Sequence, residues 1–595
     1  MTGPIVRRLA VAWMATAAVL IAALYPHVTA GRRALRLTDW FLFHQDLPIL
    51  WAIAAAAVLG FGVSFALPAS PGSGSLAGSI RPRTVLAMAA IAALACALVA
   101  WAGTFVVFDN YALSMDEFMA NFDAAVLSHG QLMAPVAAPW RAFLDALQPT
   151  FVTVAPGDAA WSSQYLPVNA GLRALGVLAG APSLVSPLLA AVSVMAIFGV
   201  ARRLWPARPD LAVAAAALLA TSGQFLVTAM TPYAMTAHLA FNLVWLWLFL
   251  RGGRLGHIGA ILVAFLATGL HQFVFHPLFA APFIAELLFA RRWRLALTYI
   301  AAYGLICGFW IGYWRFAFAF LGHTGAATGP AAMGTAAATD LASRITALWK
   351  AVDPTALRIM DANLIRFVTW QSLLTAPLAL LGVVAAVRTG GAVRALLLGL
   401  VLTVIAMFVL IPHQGHGWGY RYLHGLLGST CLLAAFAWGR LTDTLSDAAR
   451  RWAGVSFAVF AGVSLLVLLP LRASQAHAFV RPYVRAWAAI AHAPTAVVVV
   501  DPAGAWYASD LVRNDPYLRR GPLVFDIRAL TEAQLGELCT RRTLSVFDAA
   551  AAVRLGVKTS TRTKDDEDEP AASDRLRDSG CAASAAAQLN FRQSR

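Results

Sequence analysis

The chain has 595 residues, of which 60% are hydrophobic and only 12% charged. A water-soluble domain carries roughly a quarter charged residues, so a soluble core is excluded for the bulk of the chain. The net charge of +16 sits in short arginine clusters between apolar runs, the pattern of loops facing anionic lipid, which argues against nucleic-acid binding.

A membrane crossing needs about 20 apolar residues. Runs of that kind fall at 9–29, 48–67, 84–107, 184–201, 211–229, 233–250, 257–270, 273–290, 295–314, 370–387, 395–411, 423–439 and 453–471. They predict an all-α polytopic membrane protein of about 13 transmembrane helices. The first run, with Arg7 and Arg8 before it and Val28-Thr29-Ala30 at its end, has features of a signal peptide. Its length and the spans that follow favour an uncleaved helix. Between 257 and 290 two crossings share 34 residues, so both helices are short or one is re-entrant.

Basic residues in short loops orient the chain. Arg81/Arg83, Arg202/Arg203/Arg208, Arg251/Arg254, Arg291/Arg292/Arg294, Arg388/Arg394 and Arg440/Arg450/Arg451 mark the inner side, each separated from the next by an even number of spans. Only Arg32, Arg33 and Arg36 break the rule. The expected product is a multi-pass protein of a bacterial inner membrane, with a cytoplasmic N-terminus and a periplasmic C-terminus. Its parts are N-terminal helices over 1–107, a large periplasmic loop over 108–183, and a transmembrane core over 184–471 with outer loops 315–369 and 412–422. A tail follows from 472.

The tail changes character. Ala496 to Val500 reads AVVVV and precedes Asp501-Pro502, a buried strand ending in a turn, and Leu523 to Ile527 repeats the pattern. Thr531 to Leu538 starts like a helix. These predict a small α/β extracytoplasmic domain over 472–556, and the polar residues 557–595 read as a disordered tail. Cys96, Cys307 and Cys431 lie inside apolar runs as core residues, whereas Cys539 and Cys581 could pair in an oxidising compartment.

The chemistry-bearing residues gather on the predicted outer face. Asp116-Glu117 follow the third span among apolar residues, where desolvation raises a carboxylate towards the range of a useful base. Asp109, Asp116 and Asp123 are seven apart and would share one face of a helix, either as catalytic groups or simply facing water. Further along the same loop, Trp161-Ser162-Ser163-Gln164-Tyr165 precedes Leu166-Pro167, a helix start with an unexplained polar lead. His271 and His276 are five apart, which is not the spacing of a zinc-ligating helix, and read as lining of a cavity or donor pocket, or as core residues. The stretch His413-Gln414-Gly415-His416-Gly417-Trp418-Gly419-Tyr420-Arg421-Tyr422 carries three glycines and a single arginine. A guanidinium beside the membrane can grip a phosphate through paired hydrogen bonds, while the aromatic residues could instead be an interfacial belt.

The acidic pair in the first outer loop, the Ser163-x-Tyr165-x-Pro167 element with Gly176 beyond it, and the short-looped spans resemble the GT-C class of polytopic glycosyltransferases. The nearest kin are the protein O-mannosyltransferase, lipid A aminoarabinose transferase and lipopolysaccharide galacturonosyltransferase group. The likeness covers roughly 105–440. The chain departs in having two spans before the acidic loop's own, and in reading Tyr-Leu-Pro-Val where Tyr-Pro-Pro is commoner. The resemblance implies Asp116 as general base with Glu117 beside it, and Arg421-Tyr422 as the element that meets the lipid phosphate. Tyr165, Gln164, His271, His276, His413 and His416 are the expected substrate pocket.

The implied reaction moves a sugar, with inversion, from a polyprenyl-phosphate donor to a lipid, polysaccharide or protein at the outer surface. A carboxylate takes the acceptor's proton and a cation stabilises the departing phosphate. No DxD or Gly-rich nucleotide-sugar signature accompanies these residues and no metal ligand set is apparent; no cofactor is implied with certainty, and a divalent metal is possible. Some members of the class use a divalent metal and others do not. The competing reading is a transporter or flippase, or a polymerase or ligase, of lipid-linked glycans. A transporter needs mid-membrane polar residues, yet the spans are clean apart from Glu286.

Overall fold

The computed structural model describes residues 3–29, 37–66, 82–322, 354–411, 413–559, 572–578 and 586–588. The chain divides into two compact units. One comprises Met1–Gly103, Ser183–Ile311 and Ala337–Ala476, and the other Thr104–Pro182, Gly312–Ala336 and His477–Arg595.

The first unit is helical. Among the described residues eight helical stretches are long and apolar enough to cross a membrane: Arg7–Thr29, Leu37–Ala66, Arg83–Val106, Pro182–Leu204, Trp293–Ile311, Gly391–Leu410, Arg421–Thr442 and Asp447–Ala491. A ninth candidate is the pair Pro209–Ala220 and Gly223–Ala229, bent by 59°. Ser222 lies at that break and caps the second helix through Phe225 N. Four more expected spans correspond to the shorter helices Met235–Arg251, Gly253–Thr268, Phe275–Phe289 and Thr375–Thr389, the longest of 17 residues. By length the structure therefore reaches eight or nine crossings, and the count of about 13 is not established.

Apolar side chains are expected on both surfaces of such a unit, because lipid tails are as apolar as a protein core. Trp51, Val58, Leu305 and Leu466 are exposed. Helix Leu427–Thr442 is enclosed instead, packing on Thr375–Thr389, Pro209–Ala220 and Gly391–Leu410. Glu286, the one acid noticed in the spans, is held bidentately by Arg394 at 2.6 and 2.9 Å.

A second charged cluster carries no signal in the sequence, because Asp46 lies just ahead of the apolar run at 48–67. Its carboxylate is wholly buried in a π-helical turn, Leu42–Asp46, that opens the second span. Arg472 donates to it at 3.0 Å and Arg366 lies 3.3 Å away, with Trp370 Nε1 and Thr369 Oγ1 donating at 2.9 and 3.0 Å. The spans are thus not clean apart from Glu286. Buried charges of this kind are tolerated only when paired.

The second unit combines two sheets and several helices. Strand Ala160–Ser163 is the middle of a three-stranded antiparallel sheet, with Ala134–Pro135 on one side and Val152–Val154 on the other. A parallel sheet runs in the order Leu523–Asp526, Val497–Val500, Leu544–Phe547, Ala586–Gln588. Its first two strands fall where the sequence placed them, and Thr531 caps helix Glu532–Arg541. The VVVV strand is buried at every residue, as a parallel sheet covered on both faces requires.

One apolar core joins the parts of this unit. Met119, Phe122, Leu147 and Trp161 from the first loop cluster with Val497, Val499, Phe525 and Leu538 from the C-terminal segment. Asn514 fixes the junction, donating to Leu147 O and Val524 O at 2.7 Å and accepting from Val524 N at 2.9 Å. Trp161 Nε1 donates to Pro516 O at 2.7 Å. Cys539 is disulfide-bonded. Cys581, its expected partner, lies outside the described residues, as do Arg32, Arg33, Arg36, Arg81, most of the loop 315–369 and most of the tail beyond 557.

Candidate functional site

The acidic motif begins a helix, Met115–Ser128, and the helix start explains one of its two carboxylates. Ser114 Oγ accepts from Glu117 N, and Glu117 Oε2 accepts from Ser114 N at 2.7 Å, a reciprocal capping box. Glu117 is wholly buried, and burial pushes its carboxyl up to about 7. Its Oε2 thus serves the helix cap.

Asp116 is the half-buried neighbour, and it accepts a hydrogen bond from the hydroxyl of Tyr165. Asp123, two turns on, is buried and accepts from Ser162 Oγ at 2.9 Å and Ser163 N at 2.8 Å. Its carboxyl is likewise raised to about 7 by burial, which the serine hydrogen bonds partly offset. The polar WSSQY segment therefore has a job: its serines and tyrosine grip the two aspartates of one helix face. Asp109 does not join them. It sits before the helix in a left-handed turn with φ of 52°, so the expected face of three aspartates has two.

Gln164 shares this region. Its backbone N donates to Phe151 O at 2.8 Å and its carbonyl accepts from Trp314 Nε1 at 3.2 Å. The stretch leading into the acidic helix is held by Arg513, which the sequence did not signal. Arg513 is buried, donates to Ala112 O and Leu113 O at 2.6 and 2.7 Å, and stacks 4.4 Å over the Tyr111 ring. Asp510 Oδ2 accepts from Met115 N at 3.2 Å beside it.

In the helical unit, Arg421 and Tyr422 open the 3₁₀ turn Arg421–Leu426 at the head of an enclosed helix. The Arg421 guanidinium lies 5.4 Å over the Tyr233 ring and 5.1 Å over the Tyr422 ring, with the Tyr422 hydroxyl 3.4 Å from Nη2. Two aromatic rings thus flank its charge at cation–π distance.

Glycines shape that loop. Gly415 and Gly419 take φ of 63° and 71°, and a Cβ at Gly417 would press on Arg421 Cδ at 3.3 Å. Gln414 closes it, accepting from Arg421 N at 2.9 Å and donating to Gly419 O at 3.1 Å. Gln224 donates to Tyr420 O at 2.8 Å and is itself held by Gln371 at 3.0 Å. Arg366, the partner of buried Asp46, donates to Gly417 O at 2.9 Å.

The expected pocket histidines divide. His413 is exposed and its carbonyl accepts from Tyr422 at 3.3 Å, while the carbonyl of buried His416 accepts from Tyr233 at 3.5 Å. His271 is buried in the connection before helix Phe275–Phe289. His276 is wholly buried with both nitrogens engaged, by Asn242 at 2.7 Å and Tyr303 at 2.9 Å, so its ring is a packing element of the helical unit. Among the described residues no three His, Cys, Asp or Glu side chains are grouped to hold a metal ion.

No protein-family model matches this chain, and no curated protein does either. Solved structures are similar. ArnT from Cupriavidus metallidurans bound to undecaprenyl phosphate aligns at 14% identity over 73% of this chain and 85% of that one, with a TM-score of 0.47. The same protein in the apo state gives 13% identity, the same coverage and a TM-score of 0.45.

Proposed function

We propose that the protein is a membrane glycosyltransferase that moves a sugar from a polyprenyl-phosphate donor to a hydroxyl of a glycan, lipid or protein on the periplasmic face of a bacterial inner membrane. The observation that carries this reading is the arrangement at Asp116. Its carboxylate stands half-buried on the first turn of a helix outside the spans, and the Tyr165 hydroxyl orients it. Beside it Glu117 Oε2 is taken up by the helix cap, so the two acids of the motif have different work.

In this reading Asp116 removes the proton of the attacking hydroxyl as the bond to the anomeric carbon forms. The bond from that carbon to the phosphate oxygen breaks on the opposite side, which inverts the configuration and needs no covalent intermediate. The leaving polyprenyl phosphate gains negative charge, the kind of charge that a guanidinium such as that of Arg421 stabilises. Tyr422 positions that guanidinium, and Tyr165 positions the base. The N-terminus is then cytoplasmic and the C-terminus periplasmic.

The test is an assay of purified protein in liposomes with a panel of polyprenyl-phosphate sugars. Wild type should turn over at least one donor. Asp116→Asn and Arg421→Ala should remain folded and lose about a hundredfold or more, the usual effect of removing a base or a charge-stabilising group. Folded variants with undiminished turnover would reject the reading.

A further inference from the structure

The second unit contains a cavity of about 480 Å³ that the chemistry above does not use. That volume lies in the range of pockets which enclose small organic ligands. Its polar lining is Asp145, Asp158 and Asp526 with Gln148, Thr150 and Gln164, and its apolar wall includes Phe151. No lysine, arginine or histidine lines it, although the chain carries 45 basic against 29 acidic residues. Three carboxylates without a cation in the lining repel phosphate and other anions, even with Arg528 paired to Asp526 nearby at 2.8 Å. They accept hydrogen bonds well from hydroxyl or ammonium groups.

The aromatic wall is built at a cost. Phe151 holds φ of 72°, a left-handed conformation rare for a bulky residue, and its side chain remains exposed at 38%. Such strain persists where surrounding structure imposes it, and functional sites are where it collects. Here strand pairing beside it imposes the turn: Phe151 O accepts from Gln164 N, and Val152 pairs with Ser163. The result is a cavity bordered by an aromatic ring together with carboxylates and amides. That combination suits a pyranose, whose C–H face lies on an aromatic ring while its hydroxyls reach carboxylates and amides.

The cavity is linked to the proposed base through two side chains. The Phe151 ring lies 5.5 Å from the Tyr165 ring, and Tyr165 donates to Asp116. Gln164, which lines the cavity, directly precedes Tyr165. We propose that this cavity is the acceptor subsite, and that it takes a saccharide bearing hydroxyl or amino groups and no anionic substituent. The assignment to the acceptor rests on the transferase reading; the ligand chemistry rests on the cavity alone.

The experiment is titration of the full-length protein in detergent, by calorimetry, with three probes. These are a β-1,4-linked glucosamine disaccharide, its N-acetylated counterpart and its 6-phosphate. Two variants are compared with wild type: Phe151→Gly, which removes the ring while accommodating the left-handed backbone, and Asp145→Asn combined with Asp158→Asn. Each should melt as wild type does. The glucosamine disaccharide should bind wild type and lose about tenfold in affinity in either variant. The phosphorylated sugar should bind wild type about tenfold more weakly than its parent.

Equal binding of the phosphorylated sugar, undiminished binding in both variants, or no binding of any saccharide would each overturn the proposal. Donor turnover in the same preparations separates this from the transferase reading. If Arg421→Ala abolishes transfer while the cavity variants bind sugars as wild type does, the cavity assignment falls alone. If the cavity variants lose sugar binding and wild type transfers no sugar from any donor, the transferase reading falls and the saccharide site stands.

Discussion

Arg513 donates to the carbonyl oxygen of Leu113 at 2.7 Å across 400 positions of sequence. The same guanidinium holds Ala112 O at 2.6 Å and stacks on Tyr111 and Phe118. The segment that leads into the Asp116 helix is therefore set by the C-terminal part of the chain. Arg513→Met should leave those buried carbonyls without their donor and destabilise this unit by about 3 kcal/mol. Arg513→Lys should not rescue it, since one ammonium cannot reproduce a planar fork. Limited proteolysis and thermal unfolding in detergent would read the change. Stability within a few tenths of a kcal/mol of wild type would show that the fork is dispensable.

A different kind of dependence follows from Glu117. Burial raises its carboxyl from an ordinary value of 4.5 to about 7, so the folded protein keeps this proton where the unfolded chain has lost it. The folded state then binds more protons between those values, and stability falls as pH rises from about 4.5 to 7. Asp123, raised in the same sense, adds a slope of the same sign. Glu117→Gln keeps an acceptor for Ser114 N and removes one of the two titrations. The decline in stability between pH 5 and 7 should become distinctly shallower, by up to about 1.4 kcal/mol per unit of the lost shift. Denaturant titrations at several pH values would measure it, and an unchanged slope would contradict the assignment.

The buried cluster around Asp46 makes an opposite demand. Two arginines meet one carboxylate inside the helical unit, and Arg366 also supports the arginine loop through Gly417 O. Asp46→Asn removes the charge that both arginines face. Breaking a buried pair by removing one partner costs about 3–5 kcal/mol. The variant should be recovered from the membrane in low yield and melt well below wild type, by thermal shift in detergent. Normal yield and melting would mean that the arginines are neutralised by other groups.

The arginine loop can be tested without touching its charge. Gly419 holds φ of 71°, and a Cβ there would stand 2.4 Å from Gln224 Oε1. Gly419→Ala should displace Gln224 from Tyr420 O and unseat Arg421. Transfer should fall about tenfold or more, through weaker use of the donor, as expected when a charge-stabilising group is misplaced. Gly417→Ala meets only the flexible Arg421 side chain, at 3.3 Å from Cδ, and should have the smaller effect. Steady-state rates over a range of donor concentrations would rank the two, and the reverse order would contradict this geometry.

These residues also show which parts of the structure were legible in the sequence. Long apolar runs such as 391–410 report themselves, because eighteen or more hydrophobic residues have few other folds. The AVVVV strand was legible for a similar reason. Ser114-x-x-Glu117 also spells a capping box, a signal that an acidic pair beside the membrane masks because both readings use the same glutamate. Arg513, Asn514 and Asp46 gave no signal, since what defines each is a partner hundreds of positions away. The three-stranded sheet was hidden as well: its strands are two to four residues long, too short for alternation to show.

Tyr165 offers the sharpest separation between holding the fold and serving the reaction. Its ring packs at the edge of the core and against Phe151, while its hydroxyl serves Asp116. Tyr165→Phe keeps the ring and removes only that donor. Because Tyr165 is half-buried, the folded state should lose about 1 kcal/mol or less. Turnover should fall by about tenfold or more if the hydroxyl fixes the base, with apparent affinity for the donor lipid nearly unchanged. Asp116→Asn combined with Tyr165→Phe should then be no worse than Asp116→Asn alone, since both remove one function. Additive losses in that double variant would mean that the hydroxyl acts on the substrate itself and not through Asp116.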